Sequence, residues 1–405
     1  MQRVRMSLPY YRELGWDVEL ICVDARYTEG FKDELLTDTI PADIPLHRVG
    51  AWPAKFTRKF GLGSLSMRSY FHFKKKGTAL LQKKKFDLVF FSTSMFHVCA
   101  LGRYWKKKFG IPFIIDMQDP WRNDFYLNKP FAQRPPKFRL AYTINKKMEA
   151  YTMPHVAGIM AVSPIYIEDL KNRYPVIQNC PAIVIPFGCS SRDFEYVKNK
   201  KIAAPILDKK ADKIKVVYVG AITPFFMPLI RAFFKAFMKS NLTTDRYHFY
   251  FIGTNYAAGV IEKPIEVLAK ELNMLGLVTE SPDRIPYFEA LSVLMHSDIL
   301  FIPGSLDAGY NASKVYNNIL SGKPIFSIFN NQSLVKKIIE ETEAGIVVGV
   351  NETDTLEEVE LKITLQMKAF NTLHTKKPTA NKNLQDYTSE AMTRKQVALF
   401  NTVIN

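Results

Sequence analysis

No apolar run in the sequence reaches the roughly 18 residues that a membrane-spanning helix needs. The basic start of the chain is not followed by the apolar stretch of a secretory leader. Cysteine is scarce: four residues, Cys22, Cys99, Cys180 and Cys189, stand apart with no CxxC pair. That spacing argues against a disulfide framework or a thiolate metal site, and it fits a reducing cytoplasm. No short-period repeat and no nucleic-acid-binding signature is present. What the chain does have is length and apolar content: 405 residues, 47% hydrophobic and 13% aromatic. Such a composition argues against disorder and predicts two domains with substantial cores.

Negative charge is also short. Asp and Glu number 39 against 55 Lys and Arg, a net charge of +16. The excess gathers in the first third, at Lys55, Arg58, Lys59, Arg68 and the lysine triplets 74–76, 83–85 and 106–108. It is interleaved with Trp52, Phe56, Phe60, Tyr70, Phe71 and Phe73. Basic side chains mixed with aromatic ones predict an anionic partner with an apolar edge, and a membrane leaflet fits this better than nucleic acid. Each such charge contributes about 1 kcal/mol near an anionic leaflet.

Apolar periodicity predicts alternating strands and helices along the whole chain. Strands are expected at 18–23, 46–49, 87–92, 111–115, 158–162 and 182–185. After a lysine-rich, proline-broken stretch they resume at 215–219, 247–252, near 278, and at 299–303, 324–329 and 346–349. Nearly continuous apolar strands separated by helices give an α/β fold of two Rossmann-like, doubly wound parallel-sheet domains. The expected limits are 1–197 for the first domain, 198–213 for a linker, 214–380 for the second domain and 381–405 for a terminal helix crossing back toward the first. The first domain opens inside a helix, at 3–14. It is therefore expected to lack its opening strand and Gly-rich turn, the sequence beginning at an internal methionine.

Residues 305–329, SLDAGYNASKVYNNILSGKPIFSIF, read as loop, helix, turn and buried strand. Ser305, Asp307 and Gly309 fall in the loop. Ser313 is predicted to cap a helix over 314–320, on the spacing of Val315, Ile319 and Leu320, and Gly322 and Pro324 stop it. A polar loop feeding a helix N-terminus beside a parallel sheet is an anion site on general grounds. Lys314 offers a cation and Asn317 an amide on the same helix face. In the first domain His97 and Asp119 each follow a strand's C-terminal end, where open α/β sheets bind ligands; both are candidates for proton transfer or hydroxyl binding.

The segments FDLVFFSTS, GIPFIIDMQDPW, GIMAVSPIYIEDL, IVIPFG, VVYVG, FYFIG, SDILFIPG and SKVYNNILSGKPI occur in that order. Together, over nearly the whole chain, they resemble the GT-B glycosyltransferases of the group 1, family 4-like branch. The resemblance implies a nucleotide-diphosphate sugar donor on the second domain and a lipid-linked or saccharide acceptor mainly on the first. It implies no metal and no cofactor beyond the donor, and the lack of a DxD-like acidic pair in a strand-end loop agrees. By the same resemblance Lys314 meets the donor diphosphate, and Asn317 stands where the family has a ribose-binding glutamate. Gly309 stands where a second glutamate is usual, with Asp307 close by, and Gly220, Thr223 and Gly253 lie at the phosphate-side turns. The turn AITPFFMP lacks the family's Arg or Lys pair, and Gln118 replaces an arginine. The implied role is assembly of cell-surface polysaccharide, by a cytoplasmic protein held peripherally at the inner face of the membrane. Two other readings share the fold. One is a degenerate, non-catalytic nucleotide-sugar-binding protein, favoured by Asn317 and the bare turn. The other is a nucleotide-sugar 2-epimerase, which would want acid–base groups near the donor sugar where His248 and His296 read as structural.

Overall fold

The strands predicted from apolar runs form, and the central ones are parallel strands covered on both faces. Phe113, Ile114 and Ile115 have no exposed surface at all. The computed structural model describes every residue except 1, 29–32, 61–62, 123, 129, 136, 208–211, 241, 243, 256–260, 311 and 377–381. It divides into two units. The first holds Met1–Glu29, Asp38–Phe187 and Ser389–Asn405; the second holds Gly30–Thr37 and Gly188–Thr388.

In the first unit β1 (Leu20–Val23) pairs in parallel with β2 (Leu46–Val49). A separate four-stranded parallel sheet has the order β3 (Val89–Ser92), β4 (Phe113–Met117), β5 (Gly158–Ala161), β6 (Ala182–Val184). β4 and β5 are buried throughout, whereas β1 and β3 are half-buried. The first described helix, Gln2–Tyr11, packs on the terminal helix Ser389–Ile404. Tyr11 stacks on Phe400 at 6.0 Å, and its hydroxyl donates to Gln396 at 2.6 Å. A charged residue of this first helix, Arg3, is also buried. Arg3 lies 3.1 Å from the Asp116 carboxylate and donates to the Ile185 carbonyl at 2.7 Å.

The second unit is one parallel sheet of six strands, in the order β12-β11-β10-β7-β8-β9. The ranges are β7 (Ile214–Val219), β8 (Tyr247–Ile252), β9 (Val278–Ser281), β10 (Ile299–Ile302), β11 (Ile325–Asn330) and β12 (Gly345–Val350). Its core centres on Phe233 of the helix Met227–Lys239, whose ring meets those of Phe301 at 4.5 Å, Phe326 at 5.4 Å and Phe370 at 5.7 Å. Burying each such ring contributes about 1.5–3 kcal/mol.

The domain limits differ from expectation. Residues 188–197 belong to the second unit, because the helix Ser191–Lys200 turns Phe194 and Val197 inward. Tyr196 packs on Phe288 at 4.6 Å, and Ser292 donates to the Ile202 carbonyl. The lysines that read as a linker are partly the outer face of this helix. Positions 208–211 of that linker, and 377–381 at the expected limit of the second domain, lie outside the described residues. The terminal helix belongs to the first unit, and residues 382–388 to the second. Among the described residues no helix is long and apolar enough to cross a membrane.

Candidate functional site

In the second unit the chain builds from β7 outward to β8 and β9, then returns beside β7 with β10. The C-terminal ends of β7 and β10 therefore form a topological switch point, the usual place for a ligand in an open parallel sheet. Gly220 ends β7 with φ +141°, and a Cβ there would sit 2.5 Å from Lys314 Nζ. Gly304 ends β10 with φ +56°, and a Cβ there would sit 1.7 Å from the Ile328 carbonyl oxygen. Glycine at these two positions leaves room for the Lys314 amine and for the Ile328 carbonyl of β11. The turn after β7 is tied to the turn after β8, since Ile222 N–H donates to Thr254 O at 2.8 Å. Gly253 sits between them in the left-handed region. Thr223 holds the start of the next helix through its carbonyl, which accepts from Phe226 N–H.

Lys314 is the centre of the site. Its Nζ donates to the Tyr218 hydroxyl at 2.6 Å and lies 4.1 Å from the centroid of the same ring. The Tyr218 hydroxyl in turn donates to Ala221 O at 2.8 Å. No carboxylate among the described residues pairs with Lys314. Burial lowers its pKa to about 7. An amine at that depth without a counter-charge is costly unless it is neutral or meets an anion from outside.

The helix after it is shorter than predicted. It spans Val315–Leu320, six residues, with Lys314 rather than Ser313 at the cap position and no side-chain cap. Ser313 is exposed. So short a helix carries little dipole, which leaves the Lys314 side chain as the positive group at this turn. Asn317 is half-buried, its Nδ2 donating to the Tyr287 hydroxyl at 3.4 Å, and its buried Oδ1 has no partner among the described residues. Ser305 and Asp307 shape the loop itself. Ser305 Oγ accepts from Asp307 N–H at 3.0 Å, and Asp307 Oδ1 accepts from Gly309 N–H at 2.7 Å. Asn330 pins the loop by donating to Leu306 O.

In the first unit His97 and Asp119 follow β3 and β4. Their loops touch through the stacked rings of Phe96 and Trp121, 5.6 Å apart. His97 Nδ1 shares a hydrogen bond with Ser66 Oγ at 2.7 Å. Burial lowers its pKa, partly opposed by a hydrogen bond with Asn145. Desolvation is the larger effect and favours the uncharged imidazole. Asp119 is exposed, yet partial burial of the carboxyl raises its pKa. It makes no hydrogen bond with a described residue. Asp116, by contrast, is fully buried and saturated on one oxygen, beside Arg3 and accepting from Ser92 and Gln118. Gln118, where the resemblance leads one to expect arginine, is thus a strut of this buried cluster.

Tyr218, Tyr287, Ser66 and Asn145 carry the candidate groups and were not singled out from sequence. Only Tyr218 had a signal, a polar-tipped ring next to the last residue of a buried strand.

Residues 2–188 match the glycosyl transferase 4-like domain family. No curated protein sequence matches the chain. Three solved structures share its architecture over nearly their whole lengths. A glycosyltransferase from Rickettsia africae ESF-5 is 14% identical, with a TM-score of 0.59 covering 100% of this chain and 94% of that one. Anabaena Alr3699/HepE, solved with UDP and glucose, is 11% identical, with a TM-score of 0.57 covering 98% and 94%. The UDP-forming α,α-trehalose-phosphate synthase of Burkholderia xenovorans, solved with glucose-6-phosphate, is 9% identical, with a TM-score of 0.62 covering 99% and 94%. Residues 2–188 thus match a glycosyl transferase 4-like domain, and the whole chain has the GT-B fold of these glycosyltransferase structures.

Proposed function

We propose that the protein moves a sugar from a nucleoside-diphosphate sugar to a lipid-linked or saccharide acceptor in cell-surface polysaccharide assembly. The observation that carries the donor half is Lys314, a sunken amine without a carboxylate, held at the switch point against Gly220. Its ammonium meets the diphosphate and neutralises the charge that develops as the sugar departs, with N–H groups of the turn after Gly220 and with no metal or further cofactor. Asn317 hydrogen-bonds the nucleoside side through its unpartnered Oδ1, and Gly253 and Thr223 line the approach. The UDP complex of the Anabaena protein supports a uridine donor. On the first unit Asp119, whose raised pKa makes it a better proton acceptor, takes the acceptor hydroxyl's proton, and neutral His97 orients that hydroxyl. A melting-shift screen of UDP-, GDP-, dTDP- and CMP-linked sugars tests the donor assignment: one class should stabilise the full chain, and no shift from any of them would defeat it. With the active donor, Asp119→Asn should lower transfer about 100- to 10,000-fold and leave nucleotide affinity unchanged. Equal losses in both would show that Asp119 only holds its loop.

A non-catalytic nucleotide-sugar binder is favoured by one observation. The turn after β7 presents Phe225, 78% exposed, where related turns place cations. That reading predicts the same melting shift with no turnover.

The anionic leaflet is a further part of the proposal. Trp52 stacks on Phe71 at 5.3 Å, and Trp52, Phe56 and Phe71 are all exposed beside Lys55, Lys59 and Lys75. Arg68 leaves the predicted patch, because it is buried and donates to the carbonyls of Trp52 and Tyr27. Sedimentation with vesicles should show binding to anionic but not neutral lipid, weakening as salt rises. Trp52→Ala with Phe71→Ala should reduce it further; equal affinity for both lipids would exclude this surface.

A further inference from the structure

We propose that Tyr218 is a positioning residue for donor binding, and that its pair with Lys314 takes up one proton from solvent as a nucleoside diphosphate binds. The inference rests on the donor reading above and adds to it how the cation is made. Three contacts fix the amine. Tyr218 lies under it, its hydroxyl accepting from Nζ at 2.6 Å. The same hydroxyl is anchored by donating to Ala221 O at 2.8 Å, in the turn that faces the phosphates. Gly220 leaves the space that the amine's end occupies.

The groups facing Lys314 are few. β7 brings Tyr218, the following turn brings the Gly220 backbone and the Ala221 carbonyl, and its own helix brings Asn317, a neutral amide one turn away. No carboxylate among the described residues lies within ion-pair reach, and no neighbouring charge holds the proton on. Burial alone lowers the pKa, to about 7. Above that pH the amine is mostly neutral in the empty protein, accepting nothing and donating to one phenol. A diphosphate placed beside it raises the amine's proton affinity, so a proton enters with the ligand. Tyr218 serves both states: its oxygen accepts from the amine or the ammonium, and its ring face favours the cation.

The sign follows directly. Below about pH 7 the ammonium is already present and affinity is flat with respect to this group. Above it, each pH unit removes about tenfold from affinity until the bound-state pKa is passed. Titration calorimetry with UDP between pH 7.5 and pH 9, in two buffers of different ionisation enthalpy, reads the proton directly. The full chain should take up a fraction of a proton at pH 7.5 that approaches one at pH 9. Tyr218→Phe should weaken UDP about tenfold and move the pH profile, whereas Lys314→Met should abolish uptake. UDP binding that is flat in pH with no proton uptake would overturn the proposal while leaving the donor site standing. An unchanged affinity and profile in Tyr218→Phe would remove Tyr218 from it. Absence of UDP binding at every pH would remove the donor reading and this proposal together.

Discussion

Replacing Lys314 with Ala is expected to weaken UDP binding about 10- to 150-fold, the worth of about 1.5–3 kcal/mol for a hydrogen bond to a charged group. Lys314 has no substitute: no other cation is found at the turn after β7, whose residues read AITPFFMP. The stability effect should have the opposite sign at low pH. The folded-state pKa of about 7 lies below the ordinary 10.5. Between those values the unfolded chain binds more protons, so this group's contribution to stability rises with pH across that window. Below about 7 its penalty is complete. Lys314→Met should therefore raise the melting temperature most at pH 6, with the gain fading toward pH 10. A variant that loses UDP and also melts earlier at pH 6 would mean that Lys314 is structural.

Gly304→Ala is expected to be the most damaging single methyl near the site. The added carbon would lie 1.7 Å from the Ile328 carbonyl oxygen, a backbone atom inside β11 that cannot swing away. Its φ of +56° adds a penalty for any L side chain. Together these cost about 2–5 kcal/mol, and relief requires parting β10 from β11 just where the loop to Lys314 begins. Gly322→Ala is the control, since φ is +72° there but nothing lies within 4 Å of the new carbon. It should cost only about 1–2 kcal/mol. Urea unfolding monitored by far-ultraviolet circular dichroism would compare them, and similar midpoints for the two variants would contradict the packing argument.

Most of the fold was legible because short apolar runs such as ILFI suit strands covered on both faces, and the same βα rhythm carried the half-buried run FDLVF. The helix Ser191–Lys200 was placed in the wrong domain because its lysines resemble a solvated linker, while only Phe194 and Val197 record its buried side. Arg68 read as surface charge for a similar reason: nothing in its neighbours reveals that two distant carbonyls receive it. The position of Lys314, in a polar loop beside a parallel strand, was legible. Its dependence on Tyr218 was not, since the partners lie 96 residues apart and a tyrosine in VVYVG reads as core. The same holds for His97, whose hydrogen-bond partners come from helices remote in sequence. The Ser313 cap failed because the chain makes a further turn before the helix starts at Val315.

The central claim is that the ends of β7 and β10 form a diphosphate site around Lys314. A crystal structure of the full chain with UDP tests it most directly. The account predicts a β-phosphate oxygen within hydrogen-bond distance of Lys314 Nζ and of N–H groups in the turn after Gly220. UDP seated elsewhere, for instance in the hollow lined by Lys213, His248 and Thr279, with Lys314 still resting on Tyr218 alone, would contradict it.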